Sequence, residues 1–136
     1  MNSDIITVYK KVNLYKDGTL HPLFIDTKRP FTIGEWMHCE YHPTKGFMPR
    51  SVVNNFDENP TGGWHCCFSP IAPHLADELK SGQKRVWLKC EAKGLRTIYE
   101  RPWNQGGSWI LVEWIKPVSV LTDEEVLSSV SQSEAV

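Results

Sequence analysis

From Ile6 to Leu14 the apolar residues Ile6, Val8, Val12 and Leu14 fall on even positions, a period of two that predicts a strand with one buried face. Lys16-Asp17-Gly18-Thr19 supplies turn chemistry, and positions 20–25, with His21 and Pro22 near their start, read as a second strand closing a hairpin. Positions 31–41 hold Ile33, Trp36, Met37 and Tyr41 at a spacing that fits either period; Gly34 weakens a helix, so the segment reads as a weak strand or a single helical turn. Positions 42–63 carry three prolines, three glycines and three asparagines among few apolar residues, the composition of a long surface loop. A short apolar run at 64–68 reads as a buried strand. Ser69-Pro70 then has the form of an N-cap followed by proline at the first helical position. Ile71, Leu75 and Leu79, flanked by Ala72 and Ala76, paint one face, which predicts the main helix over 70–80 with Gly82 as its stop and Pro73 tolerated in its first turn.

Beyond it, 85–93 is the clearest amphipathic strand, with Val86, Leu88, Cys90 and Ala92 inward and Arg85, Lys89, Glu91 and Lys93 outward. Positions 109–115 are apolar on both faces, as a central strand covered on two sides requires, and only Glu113 breaks the run. Pro117 marks an edge or bulge before 118–121. Thr122 with Glu125 forms a capping box, so a short helix is expected to about Val130, with 131–136 a frayed tail. These elements predict one α+β domain over 1–130, a curved, largely antiparallel sheet with one main helix and a short C-terminal helix.

Composition narrows the class. With 136 residues, 40% of them hydrophobic and 23% charged, the chain supports one core and no second domain. No apolar run approaches the roughly 20 residues of a membrane-spanning helix, and the start MNSDIITVYKK lacks the features of a secretory signal, so a cytoplasmic protein with no membrane partner is expected. Fifteen Lys plus Arg against sixteen Asp plus Glu leave a net charge of -1, which argues against a broad electrostatic footprint for nucleic acid. Cys39, Cys66, Cys67 and Cys90 are expected as reduced thiols rather than a disulfide framework.

Four constellations bear on chemistry. His38, Cys39 and His42, with His65, Cys66, Cys67, His74 and Cys90 further on, contain zinc-ligand types but no second ligand pair at structural-site spacing, so no metal is expected. Cys66 or Cys67 as a nucleophile needs an imidazole in reach, and His65 adjoins Cys66 on a strand, where neighbouring side chains point apart. Glu113 within an apolar strand must be paired, hydrogen-bonded or functional. Of six tryptophans, Trp87 on a charged strand face and Trp103 in the 101–107 loop are the exposed candidates for a partner surface. Long surface loops carry function, so that surface is expected to comprise Arg50, Asn54 and Asn55 from one loop, Arg101, Trp103 and Gln105 from the other, and Trp87 beside them.

Taken in order, the motifs Asp17-Gly18-Thr19-Leu20-His21-Pro22-Leu23-Phe24, Gly34-Glu35-Trp36, Gly63-Trp64-His65, Pro70-Ile71-Ala72-Pro73-His74, Val86-Trp87 followed by Glu91, and Gln105-Gly106-Gly107-Ser108-Trp109-Ile110-Leu111 resemble a family of small phage and prophage proteins. The family also occurs as a module of large polyvalent phage proteins. The resemblance spans roughly residues 6 to 126; where the family has Arg-Pro-Gly-Trp-His, this chain inserts residues between Arg50 and Gly63. It implies a host-takeover or anti-defence protein that binds and inhibits a host protein such as a CRISPR nuclease, with no catalytic residues and no cofactor. The succession strand 63–68, helix 70–80, strand 85–93 also looks like the middle of an ADP-ribosyltransferase fold, in which Tyr9, His65 and Glu113 would hold the nicotinamide riboside and supply the catalytic carboxylate. An ADP-ribosyltransferase-like enzyme or a nucleotide-binding protein is thus the second reading, and a zinc-bound interaction module the third.

Overall fold

Alternating strand patterns on both sides of positions 40–63 assemble into one antiparallel sheet that closes on itself. The computed structural model describes residues 4–23, 28–39, 64–105 and 107–128. Its strands are β1 (Ile6–Leu14), β2 (Leu20–His21), β3 (Met37–His38), β4 (Trp64–Cys67), β5 (Lys84–Glu100) and β6 (Ser108–Val120). β1 pairs with both β4 and β5, and β6 pairs with both β4 and β5, so these four strands form a closed barrel. Closure leaves few free edges. β2 extends the barrel beside β1, and β3 lies beside β6.

The expectation of an α+β sheet with one main helix is therefore corrected: the protein is mostly β, a closed antiparallel barrel with one short helix at 123–128. Positions 70–80 form turns, not a helix. Pro73 disfavours the helical region for Ala72 and removes a donor, and the apolar stripe is too short to compensate. The backbone groups bond elsewhere. Leu75 N donates to Ala72 O at 2.9 Å, Leu79 N to Gln83 O at 2.9 Å and Arg85 N to Asp77 O at 2.8 Å. With that helix goes the strand–helix–strand likeness to an ADP-ribosyltransferase.

Other expectations hold locally. The β1–β2 hairpin turns through Asp17, whose carboxylate accepts from Thr19 N at 3.0 Å and Thr19 Oγ1 at 2.6 Å, and Gly18 takes the positive φ of 88°. Its second strand is only two residues long; positions 24 and 25 of the expected strand lie outside the described residues. Thr122 and Glu125 make the reciprocal cap, Thr122 N to Glu125 Oε1 at 3.0 Å and Glu125 N to Thr122 Oγ1 at 3.1 Å. The expected loop at 42–63, with Arg50, Asn54 and Asn55, falls outside the described residues, as does the expected tail at 131–136.

Two cores divide the apolar residues. Val8, Val12, Cys66, Leu88, Cys90, Ala92, Ile110, Val112 and Ile115 fill the barrel, with Leu20, Phe31, Met37 and Trp64 packed in the same cluster. At roughly 1.5–3 kcal/mol per fully buried large aliphatic side chain, this cluster is the main stabiliser. On the outer side Trp87, Trp109, Leu111, Cys67 and Ala72 form a second cluster, joined by Tyr9, Leu75, Leu121 and Val126. The non-helical segment and the C-terminal helix thus cover one barrel face. Lys11 fastens that cover by donating to Leu75 O at 2.8 Å and pairing with Asp77. Trp87, expected to be exposed, is only 6% exposed because it lies beneath this outer layer.

Candidate functional site

Inward-facing residues of β6 change parity along the strand. Ile110 and Val112 are interior at even positions, and Ile115 and Pro117 at odd ones, so Glu113 and Trp114 both leave the core between them. The partner strand shows why. Its register shifts between Lys93 and Arg96, which places Gly94 and Leu95 opposite Glu113, and Gly94 adopts φ 85°. This is a bulge, a device that re-aims side chains. A side chain at Gly94 would overlap Glu113 Oε1 and approach Trp114 Cδ1 to 3.1 Å. A second shift, between Lys89 and Cys90, lies opposite Pro117 and Ser119 and absorbs the proline.

At the kink, Glu113 accepts from or pairs with His38 Nε2 at 2.9 Å, both side chains being part-exposed. The partner in place is a histidine from β3. His38 packs on Trp114 with ring centroids 4.6 Å apart, and Arg29 donates to the His38 carbonyl at 2.6 Å. Lys93 Nζ lies 4.1 Å from the Trp36 centroid and 5.5 Å from that of Trp114, while Lys116 lies 5.2 Å from Trp36 and pairs with Glu91 at 2.8 Å. Trp36, Lys93 and Lys116 were not singled out from the sequence. Gly94 inside an otherwise regular strand, facing a lone carboxylate, was the available signal.

The hairpin tip between β5 and β6 gathers three of the expected binding residues. Residues Trp103–Gln105 form one 3-10 turn. Arg101 N donates to Gly107 O at 2.9 Å and Gln105 N to Pro102 O at 2.8 Å. Arg101 Nε donates to Gln105 Oε1 at 2.9 Å, its guanidinium carbon lies 4.8 Å from the Trp109 centroid, and Trp109 Nε1 donates to Gln105 O at 2.8 Å. Arg101 and Gln105 therefore hold the loop. Trp103 projects from it, 91% exposed. Enclosing an indole removes about 150–250 Å² from water, worth roughly 4–6 kcal/mol before the costs of association. Trp87 takes no part, being buried in the outer core.

The enzyme candidates have other duties. Tyr9 packs into the outer cluster, and Glu113 engages His38. Burial, aided by the Lys10 and Arg101 charges, lowers the His65 pKa to about 3, so its imidazole is neutral. All four cysteines are free and buried. Burial pushes the Cys66 thiol up to about 11 and raises Cys67 and Cys90 further, the reverse of what a nucleophile needs. Lys10 is buried beside them and donates to His65 O at 2.8 Å. Among the described residues no group of three or more side chains could hold a metal ion, and His42 of the zinc candidate lies outside them. No helix among them is long and apolar enough to cross a membrane. No protein-family model, curated protein or solved structure matches the chain.

Proposed function

We propose that the protein acts by binding: it docks on a host protein in the bacterial cytoplasm and inhibits it, in the manner of a phage host-takeover or anti-defence protein, with a CRISPR nuclease as the foremost target. The observation that carries this reading is Trp103, 91% exposed at the tip of a hairpin whose loop is locked by Arg101, Gln105 and Trp109. A large aromatic side chain left in water on a pre-ordered loop has little entropy to lose on docking, and tryptophan is enriched among the residues that dominate binding energy. The biological setting rests on the resemblance of the ordered motifs to those of small phage proteins. The raised thiol pKa values and the lowered pKa of the half-buried His65 weigh against thiol chemistry.

The test uses bacteria whose CRISPR nuclease is programmed against an infecting phage. Expression of the protein is expected to restore plaque formation, and Trp103→Ala, folded and equally abundant, is expected to lose that effect. Unrestored plating with the parent protein overturns the anti-defence reading. Full activity of Trp103→Ala moves the contact away from the hairpin tip.

A further inference from the structure

We propose that Trp36, Lys93 and Trp114 form a binding site for a nucleotide, its base against the indole rings and its phosphate on the Lys93 ammonium. Lys93 Nζ lies 4.1 Å from the Trp36 centroid and 5.5 Å from the Trp114 centroid. Among the described residues no carboxylate pairs with it. The carboxylates nearby have other partners, Glu91 pairing with Lys116 at 2.8 Å and Glu113 with the His38 imidazole at 2.9 Å. Lys116 itself lies 5.2 Å from the Trp36 centroid, so two ammonium groups flank one indole. An anion arriving there meets the Lys93 ammonium beside a flat apolar face.

Lys93 holds the place of the ligand. A nucleobase on an aromatic face is bound more strongly than a solvent-exposed ammonium on the same face, so the base displaces the ammonium and the ammonium moves to the phosphate. A neutral sugar would use the rings and leave the lysine idle; a nucleotide uses both. The bulge at Gly94 turns Trp114 and Glu113 outward together, which sets the Glu113–His38 pair beside the ring as hydrogen-bonding groups for the ribose or the base edge. The net charge of -1 argues against a broad nucleic-acid footprint but not against a local site of this size. The site is separate from the Trp103 tip and does not depend on it.

Tryptophan fluorescence of the full chain, titrated with AMP, adenosine, inorganic phosphate and a short oligodeoxyadenylate, tests the proposal. Saturable quenching by AMP is expected, with adenosine about tenfold weaker or more and phosphate alone giving none. Trp36→Ala and Lys93→Gln are each expected to weaken AMP binding about tenfold, thermal unfolding confirming that they are folded. Lys93→Gln removes only a partly exposed ammonium, so it decides the matter if Trp36→Ala loosens β3. An oligonucleotide that binds more tightly than AMP, with steep salt dependence, identifies the source as a single strand; AMP binding as tightly or better identifies the free nucleotide. No saturable quenching by either probe, adenosine binding as tightly as AMP, or parent-like binding by Lys93→Gln overturns the proposal.

Discussion

Replacing Gly94 with alanine tests the kink on which the exposure of Glu113 and Trp114 depends. Two costs add. The backbone there has φ 85°, and a residue with a Cβ in that left-handed region costs about 1–2 kcal/mol. The new methyl would also overlap Glu113 Oε1 and stand 3.1 Å from Trp114 Cδ1 and 3.2 Å from Glu113 Cβ. The carboxylate can swing aside, at the loss of its His38 pair, which at this exposure is worth about 0–1 kcal/mol. The ring and Cβ contacts remain, and crowding of that kind costs about 1–3 kcal/mol. The expected destabilisation is therefore about 2–6 kcal/mol, or a fall in thermal midpoint of roughly 7–20 °C. Gly82→Ala is the control, because φ there is 90° but nothing lies within 4 Å of the added methyl, so it incurs the backbone cost alone. Urea and thermal unfolding of both variants measure the difference. Adding Glu113→Ala to Gly94→Ala is expected to recover part of the loss. Equal destabilisation by Gly94→Ala and Gly82→Ala would refute the crowding at the kink.

Three further outcomes follow from the packing and the protonation states. Trp87→Ala is expected to cost about 3–5 kcal/mol by denaturant unfolding, whereas Trp103→Ala stays within about 0.5 kcal/mol of the parent; similar values for the two would contradict their opposite burial. The buried thiols Cys66, Cys67 and Cys90, their pKa values raised, are expected to resist a thiol-specific reagent in the native protein at mildly alkaline pH and to react fully after denaturation. Burial lowers the pKa of His65 to about 3 from 6.5, so the unfolded chain takes up a proton that the folded one refuses; its contribution to stability is full above pH about 6.5 and is lost as pH falls toward about 3. His65→Gln should flatten the pH dependence of unfolding in that window, and an unchanged profile would contradict the lowered His65 pKa.

Strand periodicity was legible because it is local. The inward set Val86, Leu88, Cys90 and Ala92 and the two-sided packing of 109–115 follow directly from alternation, and the Thr122–Glu125 cap from its spacing. The helix over 70–80 failed because Ala72 and Leu75 pack over Trp87 and Trp109 from a non-helical segment while Leu79 stays exposed, and Pro73 tips the balance toward turns. Trp87 was misplaced for the same reason: pattern assigns a face to the residue but does not show a second layer over that face. The 101–107 loop was found from its composition. The kink site was not, because it joins Trp36 and His38 of one segment to Lys93 and Trp114 of two others through a bulge, and alternation contains no signal for long-range register.

The sharpest discrimination between binding and catalysis compares Trp103→Ala with Glu113→Gln in one plaque-restoration assay, alongside a measurement of NAD in host extract incubated with the parent protein. Glu113→Gln keeps the side-chain shape and removes its negative charge, while Trp103→Ala removes the exposed ring. Binding through the hairpin tip predicts that Trp103→Ala loses inhibition, that Glu113→Gln keeps it, and that NAD is not consumed. A folded but inactive Glu113→Gln, a fully active Trp103→Ala and loss of NAD with the parent protein would contradict it.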